Sequence, residues 1–377
     1  MKRQSVTKTT IRNRAGEQTG IRWRARFWSP QGREVVRKFT TKREAVAWLD
    51  EQSAAAITGQ FIDPRDGRTT VRTYAEGWRS RQIHRPSTAE KFRHLLDAWV
   101  NPTLGDIPLS DLRHSHIQAW VRLMAQTLAP STVRVHHGML AGMLNDAVAD
   151  RMLSSNPCVN TKLPEEPERT IVIPTDAAVV EVHDLIPPRY AAAIHLAAAS
   201  GLRQGELLGL TVDRVDFFRR EITVDRQLIL GGPNRNTFGP PKTPRSVRTV
   251  PVAQDVIDSI AGHLAEFGEG PDRTLFSSSY GGYVSKSTFN TALGKAVEKS
   301  QDAPRGMTCH WLRHYYASRL IRFGESVKTV QARLGHATAA ETLDTYGHLW
   351  ADSDDRTREA TAGILAGGPT VERRADI

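Results

Sequence analysis

Cysteine is almost missing from this chain: 377 residues hold two, Cys158 and Cys309. That excludes a disulfide framework and a Cys-rich zinc module, and it fits a reducing compartment, so a cytoplasmic location is expected. No apolar run reaches the roughly 18 residues a membrane span needs, and no membrane partner is expected. The opening MKRQSVTKTT is basic but has no apolar core behind it, which argues against secretion. No GxxxxGK(S/T) loop is present, so ATP is not suggested. No HExxH helix accompanies the histidines. Neither a metal nor a cofactor is expected.

Acidic residues are scarce only in part of the chain. Residues 1–60 carry 13 Lys/Arg against 5 Asp/Glu, a net +8. Residues 61–164 carry 13 against 9, a net +4, and residues 165–377 carry 25 against 27, a net −2. The overall +10 therefore comes from the first 164 residues. A basic stretch of this kind is the footprint of a polyanionic partner, most often nucleic acid, although a solvated charged surface gives the same count.

Three segments follow one another. In GIRWRARFW, Ile21, Trp23, Ala25 and Phe27 fall on one face of a strand, and Arg22, Arg24 and Arg26 on the other. SPQG is a turn, REVVRKF a further strand, and TTKREAVAWLDEQSAAA a helix with Thr41 as N-cap. A small sheet backed by one helix, with arginines on its open face, suits a DNA groove. A run of helices comes next, over residues 70–157. PSTAEKFRHLLDAWV carries Ser87 and Glu90 three apart, which predicts a capping box. The stretch VNTKLPEEPERTIVIP reads as a linker. Beyond it the pattern is mixed, with a helix closed by Gly201, strands in EITVDRQLI and SVRTVPV, and helices near 253–266, 285–299, 308–323 and 326–334.

The last segment holds the residues of chemical interest. In GLRQGELLGL, Arg203 lies at a junction between two helical stretches, and Glu206 follows three residues later. PKTPRSVRTVP sets Lys242 on a turn before a strand. HWLRH puts His310 and Arg313 three apart on one helix face. ARLGHATAAETLDTYGHL gives His336 after a glycine helix stop, and Tyr346 ten residues on. Singly, each has an ordinary reading: a surface salt bridge for Arg203, a solvated Lys242, a half-buried Tyr346. His310 and His314, four apart, have zinc-ligand spacing but no third ligand beside them. Together, two arginines, a lysine, two histidines and a tyrosine suit a phosphodiester handled without a metal. Arginine forks hold the non-bridging oxygens and steady the added charge of a pentacovalent transition state.

The order GLRQGELLGL, KT…R, HWLRH, LGH, Y resembles the catalytic domain of the tyrosine recombinases, the phage integrase family, over residues 170–350. The resemblance implies an α+β multidomain fold. A small three-stranded sheet plus helix would form an arm-type DNA-binding domain over 1–65, and an all-α core-DNA-binding domain would span 70–157. A linker over 158–173 would lead to a mixed, mainly α catalytic domain with a C-terminal tail over 174–377. It implies that Arg203 and Arg313 clamp the phosphate and that Lys242 is the general acid. His310 would assist proton transfer, His336 would hydrogen-bond the phosphate, Glu206 would brace the site, and Tyr346 would be the nucleophile of a 3′-phosphotyrosyl intermediate. His314 receives no catalytic role. Arg22, Arg24 and Arg26 become DNA contacts. The partners implied are double-stranded DNA attachment sites, a homotetramer on DNA working through a Holliday junction, and an accessory DNA-bending or directionality factor. The activity is strand transfer without metal or ATP, for integration or excision of a mobile element. Two other readings use the same residues or the same fold: DNA relaxation of the type IB topoisomerase kind, and a non-catalytic DNA-binding regulator.

Overall fold

In the computed structural model, residues 4–12, 18–30, 32–58, 61, 63, 66–167, 172–229, 237–241, 243–350, 358 and 361 are described. The chain divides into two compact units, residues 1–168 and 169–377. Among the described residues no helix is long and apolar enough to cross a membrane. Both cysteines are free and buried.

The first unit opens with three antiparallel strands in sequence order, β1 (Ser5–Arg12), β2 (Gln18–Trp28) and β3 (Glu34–Phe39). The alternation in β2 holds from the partly buried Trp23 to Phe27, whereas Ile21, expected on the same inward face, is 41% exposed near the start of the strand. Ala25 and Phe27 are buried with Ala45, Trp48 and Phe61, against the helix α1 (Lys42–Ile57). Thr41 caps α1, its side chain accepting from the Glu44 amide at 3.2 Å. The register sets Arg22 opposite Thr9, Arg24 opposite Thr7 and Lys38, and Arg26 opposite Ser5 and Val36. These residues share the sheet face turned away from that core.

Four helices follow: α2 (Val71–Arg81), α3 (Pro86–Leu95), α4 (His114–Met124) and α5 (Pro130–Ala149). They bury Val71, Trp78, Leu95, Ile117, Trp120, Leu140 and Met143 in one apolar cluster. The capping box expected at Ser87 does not form. Pro86 starts α3 at a position where its fixed φ fits and its missing N–H costs nothing, so Arg85 takes the cap position. Glu90 is drawn instead to Arg93, 2.5 Å away. Residues 158–167, expected as part of a linker, lie against the helices. Gln118 exchanges hydrogen bonds with the Lys162 backbone at 2.9 and 3.0 Å, and Arg134 donates to the Pro164 carbonyl at 3.0 Å.

The second unit is mainly helical. It contains α6 (Asp176–Leu185), α7 (Pro188–Ser200), the short α8 (Gln204–Leu208), α9 (Gln254–Phe267), α10 (Lys286–Lys299), α11 (Cys309–Arg322), α12 (Val327–Leu334) and α13 (Ala339–Tyr346). Strands β4 (Val215–Asp216), β5 (Glu221–Val224) and β8 (Arg248–Pro251) form one antiparallel sheet in that order, and β6 (Gln227–Ile229) pairs with β7 (Thr237–Gly239). EITVDRQLI, expected as continuous strand, breaks at Asp225 and Arg226. Asp225 accepts from Arg214 at 2.8 Å and from Arg226 at 2.9 Å. Each piece then pairs in a different sheet. The largest core lies around α7, which packs on α6, α9 and α11.

Candidate active site

Two glycines shape the floor of the site. Gly201 ends α7 at φ 61° and Gly335 ends α12 at φ 66°, both left-handed conformations that favour glycine. A Cβ on Gly201 would stand 2.5 Å from the Tyr316 ring, so the position is closed on steric grounds as well. The carbonyls at these helix ends lack intrahelical partners. Arg313 supplies them: its guanidinium donates to the Gly201 carbonyl at 2.7 Å and to the Leu334 carbonyl at 2.6 Å. Arg313 is only 2% exposed, and among the described residues it forms no ion pair. Burial, then the neighbouring guanidiniums of Arg203 and Arg248, pull it down to about 9, still protonated at neutral pH. A buried, uncompensated cation of this kind favours an anion in its vicinity.

Arg203 stands just before α8, beside the same chain ends. It donates to Glu206 Oε1 at 3.1 Å, to Ser246 Oγ at 3.2 Å and to the Gly335 carbonyl at 3.4 Å. Glu206 is 2% exposed and is held from three sides: by the Arg203 side chain, by the Arg203 backbone amide at 3.0 Å, and by Arg248 at 2.9 Å. Burial pushes its carboxyl up, but the charge and hydrogen bond of Arg248, with Arg203 behind them, outweigh that and hold it below the usual range. Arg248 also donates to the Ser246 and Arg333 carbonyls, at 2.9 and 2.7 Å. Glu206 therefore anchors one arginine that lines the site and one that ties β8 to α12.

The histidines lie around this core. His310 is exposed one turn before His314 on α11, and their rings meet edge to face at 4.6 Å. The protein around His310, then Arg313 and Arg203, lower its affinity for a proton. His336, after the Gly335 stop, is 7% exposed, and its Nδ1 lies 2.9 Å from Thr342 Oγ1. Burial and then Arg313 lower its pKa against the opposing pull of Glu341. These histidines are neutral at pH 7, able to accept or donate one hydrogen bond at each nitrogen.

Tyr346 ends α13 and is 1% exposed, packed with Val250, Tyr316, Ala317, Ile321, Val330 and Leu334. Its hydroxyl is 2.7 Å from His314 Nδ1. Burial pushes the phenol up to about 12, with Arg313 opposing. The adjacent tyrosines of α11 are occupied elsewhere. Tyr315 donates to Asp176 at 2.8 Å, and the Tyr316 ring lies beneath Gly201.

Of the residues singled out in the sequence, Arg203, Glu206, His310, Arg313, His336 and Tyr346 converge in the second unit. Lys242 lies outside the described residues. Arg22, Arg24 and Arg26 sit together on the sheet of the first unit. Arg26 is paired with Glu34 at 2.6 Å. Arg248, Ser246 and His314, none of them marked for the site by the sequence motifs, also reach it, through Glu206, Arg203 and Tyr346 respectively. Arg248 had a signal: it is two residues from Val250 and so shares the inward face of β8. His314 had one too, four residues after His310, but the proximity of α13 has no trace in local sequence.

Two family models match the chain: the phage integrase family over residues 177–352, and the phage integrase N-terminal SAM-like domain over residues 71–125. The putative prophage phiRv2 integrase of Mycobacterium tuberculosis is 27% identical over 357 residues, covering 92% of this chain and 93% of that one. The XerC-like tyrosine recombinase of Caldanaerobacter subterraneus is 28% identical over 341 residues, 82% of this chain and 86% of its own. Among solved structures, the Tn1549 transposon integrase in complex with circular intermediate DNA is similar at 26% identity and a TM-score of 0.67, over 77% of this chain and 98% of that one. A lambda integrase tetramer bound to a Holliday junction shares the fold at 18% identity and a TM-score of 0.58, over 88% and 96%.

Proposed function

The chain belongs to the tyrosine recombinases of the phage integrase family, and from that membership we propose how its residues work. It is a DNA recombinase that carries out site-specific recombination for a mobile element. We assign Arg203 and Arg313 to the non-bridging oxygens of the scissile phosphate. His310 assists proton transfer, His336 hydrogen-bonds the same group, and Lys242 protonates the departing 5′ oxygen. Tyr346 attacks phosphorus to give a 3′-phosphotyrosyl link, which conserves the ester for resealing by an incoming 5′-hydroxyl. Four protomers act on two duplexes. Residues 1–65 contact an outlying DNA site, 70–157 hold the core site, 158–173 link them to the rest, and 174–377 carry the chemistry.

The observation that carries this reading is the gathering of two guanidiniums, two neutral histidines and one phenol, contributed by four separate stretches of chain, around helix ends closed by Gly201 and Gly335. A supercoiled plasmid tests it against simple relaxation. With a pair of attachment sites cut from the element's own chromosomal junction, the protein yields recombinant circles. With no such site, the plasmid stays supercoiled. Efficient relaxation of the site-free plasmid would make the protein a topoisomerase.

The basic sheet supplies a second test. Each phosphate neutralised releases counterions, so removing one contact flattens the plot of log affinity against log salt by about 0.9. Arg22→Ala and Arg24→Ala are each expected to lower the slope by about that amount, and Arg26→Ala by less, because Glu34 already neutralises it. Equal slopes for all variants on DNA carrying the full attachment region would remove this face from the DNA contacts.

A further inference from the structure

The hydroxyl of Tyr346 faces an obstacle. It is buried, its proton is held more tightly than that of a free phenol, and it has to become a nucleophile. Among the described residues it has one hydrogen-bond partner, His314, at 2.7 Å. That imidazole is oriented from two sides, edge to face with His310 at 4.6 Å and with the Tyr346 ring at 5.6 Å. His314 lies on α11 one residue after Arg313, so the helix that carries the phosphate clamp also carries the group touching the nucleophile.

Building on the assignment of Tyr346 as nucleophile, we propose that His314 is the catalytic proton acceptor for that hydroxyl. In the cleavage step the Tyr346 O–H bond breaks and its proton passes to His314 Nδ1. The Oη–phosphorus bond forms as the bond from phosphorus to the 5′ oxygen breaks. The 5′ oxygen leaves with a proton from the general acid. The role fixes the tautomer: the proton of neutral His314 sits on Nε2, and Nδ1 presents its lone pair. In resealing the same proton returns to the phenol.

The charges facing His314 gate this step. His310 and Arg313 on its own helix, and His336 from the α12–α13 junction, add to burial in holding it down to about 4. Glu341 and Arg313 face the phenol. With no substrate present, a cation on His314 is opposed by its neighbours, and the phenol keeps its proton. A phosphodiester seated on the arginines brings negative charge into the cluster and makes His314 more basic at the moment when a base is needed.

The test measures covalent complex formation on duplexes cut from the element's junction, with either the natural 5′ oxygen or a bridging 5′ sulfur at the scissile phosphate. Sulfur leaves without a proton, so it restores a lost general acid and cannot restore a lost base. His314→Ala is expected to slow the reaction about 100- to 10,000-fold on both substrates, with a rate rising about tenfold per pH unit as hydroxide takes over. The wild type is flat near neutrality and falls on the acid side as His314 gains a proton. His314→Asn keeps a hydrogen-bonding side chain without a basic nitrogen and is expected to be as slow as the alanine variant. It carries the comparison if His314→Ala binds DNA poorly. A sulfur rescue of His314→Ala would place the residue on the leaving group and overturn the proposal. So would a His314→Asn rate within about threefold of wild type, which would make its role one of holding. A covalent complex formed by Tyr346→Phe would instead overturn the underlying assignment.

Discussion

Tyr346→Phe loses the covalent protein–DNA complex, by about 10,000-fold or more, and keeps the DNA affinity of the wild type. The two halves of this expectation rest on different atoms. Affinity depends on guanidiniums and basic side chains that the change leaves in place. The ring stays in its cluster with Val250, Ile321, Val330 and Leu334, so α13 keeps its packing. Only the hydroxyl and its bond to His314 are lost, a net stability cost of about 1 kcal/mol. Covalent chemistry has no substitute for that oxygen. Tyr315 is committed to Asp176, in a bond that ties α11 to α6, and Tyr316 is covered by Gly201. Tyr315→Phe and Tyr316→Phe are therefore expected to retain the covalent band on a denaturing gel. A band that persists in Tyr346→Phe assigns the nucleophile to another residue.

The burial of that phenol has a mechanistic consequence. A group that is 1% exposed cannot meet a phosphorus atom without a local opening, and a phenol raised to about 12 is almost wholly protonated at neutral pH. If Tyr346 is the nucleophile, cleavage includes a local opening that brings its hydroxyl to phosphorus with His314 still beside it. In the unbound chain the proposed nucleophile is both covered and protonated, which would protect it from reaction away from DNA.

What the sequence disclosed and what it hid divide along the range of the interactions. The faces of β2, the Thr41 cap, the helix stops at Gly201 and Gly335, and the placement of His310 and Arg313 on one helix are all settled within a few residues of themselves, and periodicity displays them. The Ser87 capping box failed because two local signals competed, and Pro86 with the Glu90–Arg93 pair prevailed. The break at Asp225 was hidden because each half of the strand looks regular and Asp225 is paired with Arg214, eleven residues away. The site shows the same contrast. Its proposed members were suggested by motif order, but the carbonyl anchors of Arg313 are contributed by the ends of α7 and α12, and no spacing in HWLRH announces them. The same holds for the Tyr346–His314 bond, across 32 residues, and for the Arg248–Glu206 pair, across 42.

That last pair sets the other large effect. Glu206→Ala removes the one carboxylate between Arg203 and Arg248 and leaves the buried Arg248 uncompensated beside Arg313. The expected cost is about 3–5 kcal/mol, the usual penalty for breaking a buried ion pair from one side. Arg203 also loses the carboxylate that fixes its direction, so cleavage falls together with stability. Glu206→Gln keeps the shape and one acceptor oxygen, and should lose less. Wild type and Glu206→Gln differ in charge at this position, which makes pH the discriminating variable. The folded state holds Glu206 below its unfolded value of about 4.3, so ionisation contributes stability that is fully present above that value and is lost as pH falls through the lower, folded one. The stability gap between wild type and Glu206→Gln, measured by thermal melting of the full chain, is therefore widest near neutrality and narrows on the acid side. A gap that stays constant through that range would show that Glu206 contributes shape and hydrogen bonds alone. Arg203 would then depend on Ser246 and the Gly335 carbonyl for its position.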